Sequence, residues 1–139
     1  MEIRQFEPAD TAAVVALWQQ CGLTRPWNDP AADIARKVAE QPELFLVALE
    51  ANLVIGVIMG GYDGHRGSIN YLAVTPNRQG TGVGRALVKR IEAMLTARGC
   101  PKINLQVRVD NAAANGFYEA LGYQPFQVTD FGKRLIADN

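Results

Sequence analysis

The stretch that decides the fold is Leu72-Ala73-Val74-Thr75-Pro76-Asn77-Arg78-Gln79-Gly80-Thr81-Gly82-Val83-Gly84-Arg85-Ala86-Leu87. A short apolar run ends at Pro76, a loop with three glycines follows, and an amphipathic helix begins at once. Glycine lets a backbone approach a ligand closely, and a helix start presents unpaired N–H groups at a positive dipole end. The pattern therefore predicts a site for a phosphate or pyrophosphate.

Two common phosphate-binding loops do not fit this stretch. A Walker A loop requires Gly-Lys-Ser/Thr, whereas this chain has Gly84-Arg85-Ala86. A dinucleotide fingerprint requires G-x-G-x-x-G, and the third glycine of Gly80-x-Gly82-x-Gly84 has the wrong spacing. The loop therefore argues against both a nucleotide triphosphatase and a dinucleotide-binding protein.

Length and composition narrow the class of protein. The 139 residues predict one domain over residues 1–139, with enough chain for a core. Lys plus Arg and Asp plus Glu number 14 each, so no net charge points to nucleic acid or an anionic membrane surface. No apolar run is long enough to span a bilayer, and the first residues lack a signal-peptide core, which favours a cytoplasmic protein.

The cysteines and the single histidine give no case for a metal site. Cys21 and Cys100 are isolated and lack metal-ligand spacing. One disulfide between them fits the count, but two reduced thiols fit a cytosolic protein better. We therefore expect no metal cofactor.

The first half of the chain predicts a strand, two helices and three further strands. Ala13, Val14, Leu17 and Trp18 form the apolar stripe of the first helix, which ends near Gly22. A second helix begins at Pro30 after a cap at Asn28 or Asp29. The strands are Glu2–Phe6, Leu44–Glu50, Leu53–Tyr62 and Ser68–Val74, with hairpin tips at Ala51-Asn52 and Asp63–Gly67.

The second half alternates helices and strands. The elements are a helix from Gly82 to Arg98, a strand Lys102–Val109, a helix from Asp110 or Asn111 to Leu121, and a strand pair Tyr123–Val128 and Phe131–Ile136. The order is β-α-α-β-β-β-α-β-α-β-β. It predicts an α/β (α+β) fold with a mixed, mostly antiparallel sheet flanked by helices.

Two motifs resemble the GNAT superfamily of acyl-CoA-dependent N-acetyltransferases. Gln79-Gly80-Thr81-Gly82-Val83-Gly84 matches its acetyl-CoA signature, Q/R-x-x-G-x-G/A. Asn111-x-x-Ala114-x-x-Phe117-Tyr118-Glu119-x-Leu121-Gly122-Tyr123 is similar to its N-x-x-A-x-x-F-Y-x-x-L-G-F segment. The element order fits too, so the resemblance covers nearly the whole chain. Within the superfamily the chain looks most like the small bacterial RimI-like and YpeA-like proteins.

The resemblance implies a donor, a reaction and a set of donor-site residues. An acetyl group passes from acetyl-CoA to a primary amine by direct attack on the thioester. Tyr118 is implied as the general acid for the CoA thiolate, and the N–H of Val74 as the oxyanion donor. The implied CoA-binding residues are Leu72, Val74, Gln79, Gly80, Thr81, Gly82, Val83, Gly84, Arg85, Asn111, Asn115 and Tyr118, with Arg78 as a further cation.

The general base and the acceptor site are less defined. Many members carry a Glu on the strand before the signature, but Ser68–Leu72 holds no carboxylate. Candidate bases are Glu50, Asp63, His65, and Tyr71 through a water chain. Two patches are candidates for the acceptor site. One is Arg25, Trp27, Asn28 and Asp29, and the other is Tyr62, Asp63, His65, Arg66 and Tyr71. The alternative for the first patch is ordinary turn chemistry with Trp27 packed in the core.

Three functions stay open at this point. The first is an N-acetyltransferase acting on a small-molecule amine, and the second is one acting on a protein N-terminus. The third is a CoA-binding or acyl-CoA-sensing module without turnover, which the missing strand carboxylate favours and Tyr118 disfavours. A homodimer through the final strands is also expected, because edge strands invite pairing.

Overall fold

The computed structural model describes residues 1–138 and contains one mixed sheet with helices on its two faces. The strands are β1 Glu2–Gln5, β2 Phe45–Glu50, β3 Leu53–Tyr62, β4 Gly67–Val74 and β5 Ile103–Leu105. The helices are α1 Thr11–Gln20, α2 Pro30–Ala39, α3 Val83–Ala97 and α4 Ala112–Ala120, with short 3-10 turns at Pro8–Asp10, Pro42–Leu44 and Pro76–Arg78. The sheet order is β1-β2-β3-β4-β5; only β4 and β5 are parallel, joined through α3. The predicted fold class is confirmed.

The sheet buries side chains on both faces. On one face α3 packs against β2 and β3, and on the other α1 and α2 cover the same strands. The contact with α3 is close because β3 carries glycines: a Cβ at Gly56 would lie 2.9 Å from Val83 Cγ1, and one at Gly60 would lie 2.9 Å from Ile91 Cδ1. The start of α3 is therefore fixed against the sheet, which positions the glycine loop.

The predicted hairpin tip between β2 and β3 is confirmed, and it holds two residues in the left-handed region. Ala51 has φ 51° and Asn52 has φ 64°. Alanine pays roughly 1–2 kcal/mol there, whereas asparagine tolerates the region and favours this kind of turn. We expect Ala51→Asn to raise the free energy of unfolding by about 0.5–1 kcal/mol. Urea denaturation checks this, and a lower midpoint for the variant would contradict the account of the turn.

A β-bulge interrupts the pairing of β3 with β4. Val57 lies opposite Ala73 and Met59 opposite Asn70, so Tyr71 and Leu72 together face one residue of β3. Tyr71 has φ 54°, a left-handed conformation that is rare for an aromatic residue. Bulges bend the strand that carries them and often adjoin functional sites. Here the bend lies where β4 leaves β5, because β5 pairs with β4 only at Gly67–Ile69.

The predictions for the end of the sheet were partly wrong. The strand expected at Lys102–Val109 is restricted to Ile103–Leu105, since β4 diverges after Ile69 and leaves the next residues without a partner. Neither Tyr123–Val128 nor Phe131–Ile136 forms a strand. Pro125 has no N–H to donate, and β5 is too short to template a longer neighbour. A homodimer through these segments stays a prediction. Within residues 1–138, no helix has the length and apolar character needed to cross a membrane.

Candidate active site

A cleft of about 880 Å³ opens where β4 and β5 separate. Its walls come from β4, from α2 and the loop between α1 and α2, from the chain after β5 and from the start of α4. Six of the residues predicted for the site line it: Arg25, Asn28, Tyr71, Leu72, Asn111 and Tyr118. Val74 and the glycine loop lie outside this lining. The bulge in β4 and the short β5 thus bring Tyr71 and Tyr118, which are 47 positions apart in the sequence, into one cleft.

The glycine loop has an open set of backbone N–H groups at the start of α3. Gly80 and Gly82 have φ 77° and 96°, and Gly82 is the N-cap residue of the helix. No side chain caps this end, so the first N–H groups of α3 keep no intrahelical or side-chain acceptor. Gly84 serves packing, because a Cβ there would lie 3.3 Å from the Phe117 ring. This helix start can bind a phosphate group.

The loop is tied to the end of β4. The Gln79 Nε2 atom donates to the Val74 carbonyl at 3.0 Å, and the Cys21 thiol donates to the same oxygen at 3.4 Å. Burial raises the pKa of Cys21, which keeps that thiol protonated. These contacts occupy the carbonyl oxygen of Val74. Neither of them involves the Val74 N–H.

The N–H of Val74 points away from β3. Thr75 donates to the Ile55 carbonyl at 2.8 Å, and Val74 lies opposite Gly56. Because successive N–H groups of a strand point to alternate sides, the Val74 N–H points toward the gap. The pairing of β5 with β4 ends at Ile69, so no strand within residues 1–138 lies beside this donor.

Tyr118 is half-buried on α4 and its ring contacts two aromatic neighbours. Its centroid lies 5.0 Å from that of Phe117 and 5.6 Å from that of Tyr123, both edge-on. Burial raises the pKa of Tyr118 to about 12, so the hydroxyl is protonated at neutral pH. Among residues 1–138 the hydroxyl makes no hydrogen bond, which leaves it able to donate to a ligand in the cleft.

The remaining predicted donor-site residues serve the structure as well. Asn111 caps α4 by accepting from the Ala114 N–H at 3.0 Å while lining the cleft. Asn115 does not line it, and its amide donates to the Arg108 and Asn111 carbonyls. Arg85 is exposed in the first turn of α3.

Arg78 and Glu50 pair with each other near the start of the glycine loop. The Arg78 Nε atom donates to Glu50 Oε1 at 2.9 Å. This contact lowers the pKa of Glu50. Glu50 lies outside the cleft lining, so the structure does not bring this candidate base to Tyr118.

Most of the predicted acceptor residues lie elsewhere. Trp27 is 51% exposed, and Asp29 caps α2 by accepting from the Ala32 N–H at 3.1 Å. Tyr62 lines a separate recess together with Asp63, whose carboxylate accepts from the backbone N–H groups of His65 and Arg66 at 2.7 and 2.6 Å. The cleft lining includes Arg25 and Asn28 from the first patch and Tyr71 from the second, whereas Trp27, Asp29, Tyr62 and His65 lie outside it.

The structure adds residues of α2 that the sequence analysis did not single out. Asp33 and Arg36 line the cleft, and Asp33 Oδ2 accepts from the Tyr71 hydroxyl at 2.6 Å. In the sequence these residues lie on the polar face of an amphipathic helix, which is ordinarily a solvated face. The one feature of the sequence that could have indicated them is the spacing of Asp33 and Arg36, which places opposite charges one helical turn apart. Among residues 1–138, no group of three or more His, Cys, Asp or Glu side chains is arranged to hold a metal ion.

Comparisons with known proteins agree with the observed fold. Residues 11–123 match the profile of a family described as acetyltransferase (GNAT). A Yersinia enterocolitica protein named an acetyltransferase is 53% identical over 99% of this chain and 98% of its own length. Ard1 from Thermoplasma volcanium superposes with TM-score 0.79 at 32% identity, covering 87% of this chain and 80% of its own. The ribosomal-protein-S18-alanine N-acetyltransferase from Escherichia coli superposes with TM-score 0.72 at 25% identity, covering 87% and 76%.

Proposed function

This chain belongs to the GNAT acetyltransferase family, and we propose on that premise that it moves the acetyl group of acetyl-CoA to a primary amine by direct attack. The family implies acetyl-CoA as the co-substrate. The observation that carries the proposal is the cleft between β4 and β5, which is lined by the protonated Tyr118. The uncapped start of α3 lies next to it, since Gly84 packs against Phe117. A protein that only senses acyl-CoA needs a binding loop but no acid. A tyrosine placed to protonate the leaving thiolate is needed only for turnover.

The donor would lie along the gap with its pyrophosphate on the glycine loop. The N–H groups at the start of α3 and the side chain of Arg85 supply donors and positive charge for the phosphates. The pantetheine arm would run beside β4, taking backbone groups at Leu72 and Val74. Asn111 lies at the far wall of the same cleft. This arrangement directs the thioester toward Tyr118.

The chemistry needs one oxyanion donor and one acid. The amine nitrogen attacks the thioester carbonyl carbon, a C–N bond forms, and the C–S bond then breaks. The Val74 N–H stabilises the developing oxyanion, a contribution of about 3 kcal/mol in related acyl chemistry. Tyr118 gives its proton to the leaving thiolate, and the proton lost by the amine returns the tyrosine to its neutral form. The products are the acetylated amine and free CoA.

A second candidate is acetylation of a protein N-terminus. It is favoured by the likeness to the Escherichia coli enzyme, which is named for ribosomal protein S18 alanine. A small amine and a peptide amine use the same donor site and the same acid. They differ only in what the outer part of the cleft must accept.

Release of CoA thiol from acetyl-CoA over a panel of amines and N-terminal peptides tests the proposal. We expect thiol release to depend on one class of amine and to equal the acetylated product measured by mass spectrometry. Calorimetric binding of CoA without thiol release, over the whole panel, would instead favour the sensor. The substitution Arg90→Gln removes one positive charge on the exposed side of α3, away from the cleft. We expect this control variant to leave turnover unchanged.

A further inference from the structure

The outer part of the cleft presents an anion and a cation one helical turn apart. Asp33 and Arg36 both come from α2, and Asp33 Oδ1 lies 3.5 Å from Arg36 Nη1. The second oxygen of Asp33 accepts from the Tyr71 hydroxyl at 2.6 Å. Burial and the Asp33 carboxylate together raise the pKa of Tyr71, so its hydroxyl remains a donor and fixes the carboxylate in place.

Tyr71 is itself held firmly. Its ring stacks on the fully buried Trp18, with centroids 4.0 Å apart, and the bulge in β4 directs it toward α2. The Asp33 carboxylate is therefore anchored from the sheet, although its own helix is on the surface. A fixed carboxylate at the wall of a cleft is suited to an ammonium group.

Arg36 already binds a carboxylate. Its guanidinium makes two hydrogen bonds of 2.8 Å with the two oxygens of Asp138, in the parallel geometry that arginine forms with carboxylates. The Asp138 side chain is only 9% exposed, and Arg134 lies 3.8 Å from it. The cleft wall thus contains a carboxylate-binding position that is filled from within the chain.

The C-terminal segment, residues 130–138, carries Asp138 and contacts the cleft through polar side chains. Gln106 donates to Asp130 at 2.7 Å and Arg134 donates to Asn28 at 3.0 Å, and Gln106, Asn28 and Arg36 all line the cleft. Its apolar side chains stay outside: Phe131 is 89% exposed and Leu135 is 86% exposed. The segment buries neither of these apolar side chains, and its partner Arg36 is half exposed, so a ligand carboxylate can displace Asp138 from Arg36.

The charge of the cleft favours an acceptor with an anionic group. Its charged lining residues are the cations Arg25, Arg36, Lys37 and Arg108 and the anions Asp33 and Glu40. The proximity of Asp33 and Arg36 also limits the ligand, because its ammonium and anionic groups must lie only a few bonds apart. A peptide N-terminus offers the ammonium group but has no anionic group a few bonds away.

We propose that the acceptor is a small amino acid, with its amine beside Asp33 and Tyr71 and its carboxylate on Arg36 in place of Asp138. The proposal rests on the function proposed above and names the acceptor of that same site. Arg36 is then a specificity residue, and Asp138 is an internal competitor for it. The competitor accounts for why an arginine in an open cleft is already paired in the free protein.

Kinetics with matched acceptors test the assignment. The twenty standard amino acids are screened first, and the methyl ester and the decarboxylated amine of the best substrate follow. We expect Arg36→Gln to raise KM for the amino acid about 10- to 100-fold, the range for losing a hydrogen-bonded charge, and to change KM for the ester less than threefold. We expect Asp138→Asn to lower KM for the amino acid about 2- to 5-fold and to leave the ester unaffected.

A binding measurement separates this inference from the catalytic proposal. Calorimetry of the best amino acid against the protein saturated with CoA reports acceptor binding without turnover. Arg36→Gln should weaken that binding as much as it raises KM, and the control Arg90→Gln should not. Amino acids that bind through Arg36 but are never acetylated would refute the proposed function and leave standing only the binding position assigned here. Amines or peptides acetylated with no preference for a carboxylate would overturn the assignment and leave the function standing.

Discussion

Tyr118→Phe should lower kcat at least about 100-fold, because general acids contribute about 10²- to 10⁴-fold to such reactions. The hydroxyl makes no hydrogen bond among residues 1–138, so its removal leaves no polar group unpaired and the aromatic contacts stay. KM for acetyl-CoA should change less than threefold. Stopped-flow thiol release at saturating acceptor checks both values.

The neighbouring tyrosine provides the control for that variant. Tyr123 contacts the Tyr118 ring edge-on, but its hydroxyl donates to Glu92 at 2.8 Å, at the surface of α3. Tyr123→Phe should therefore keep kcat near that of the wild type. The pH profile adds a second check: since the Tyr118 proton is lost only near pH 12, this group should cause no fall in kcat between pH 7 and 10. A Tyr118→Phe variant with kcat within threefold of wild type would remove the tyrosine from the mechanism.

Gly82→Ala should weaken CoA binding about 10-fold or more. At φ 96° an alanine is strained by about 1–3 kcal/mol, and rotation of the peptide to relieve that strain turns the first N–H groups of α3 away from the pyrophosphate. Losing one hydrogen bond to a charged group costs about 1.5–3 kcal/mol, which corresponds to about 10- to 100-fold in Kd. Isothermal titration calorimetry with CoA measures it.

Gly64→Ala is the matched control for the loop. Gly64 has φ 90° in the tip between β3 and β4, and a Cβ there would meet no atom within 4 Å, as at Gly82. Both substitutions impose the same backbone strain, so both should lower the melting temperature by similar amounts. Only the variant in the loop should lose CoA affinity. Equal CoA binding by the two variants would mean that the helix start does not hold the pyrophosphate.

Local sequence patterns predicted the backbone of the glycine loop and of α3 well because their causes are local. The glycine loop requires left-handed backbone at Gly80 and Gly82, and the structure has it. Helix α3 was predicted from Gly82 to Arg98 and spans Val83–Ala97, since its apolar stripe and its terminal glycine are both near in sequence. The caps at Asp29 and Asn111 follow the same rule.

The rest of the cleft depends on contacts between distant segments, which the sequence alone did not indicate. Asp63 was a candidate base, yet its carboxylate accepts from the backbone N–H groups of His65 and Arg66 and closes the hairpin tip. The pair Asp33 and Tyr71 is separated by 38 positions, and nothing in either segment alone indicates it. The alternation in Phe131–Ile136 predicted a strand, but a strand also requires a partner edge, and β5 has only three residues.

The most direct test of the central claim, that the gap beside the glycine loop is the CoA site, is a titration of the ¹⁵N-labelled protein with CoA followed by amide chemical shifts. The account predicts the largest shifts at Gly80–Arg85, with further shifts at Val74 and Asn111. It predicts little change around the separate recess lined by Cys100 and Ile103. Saturable shifts confined to that recess, or none at the start of α3, would contradict it.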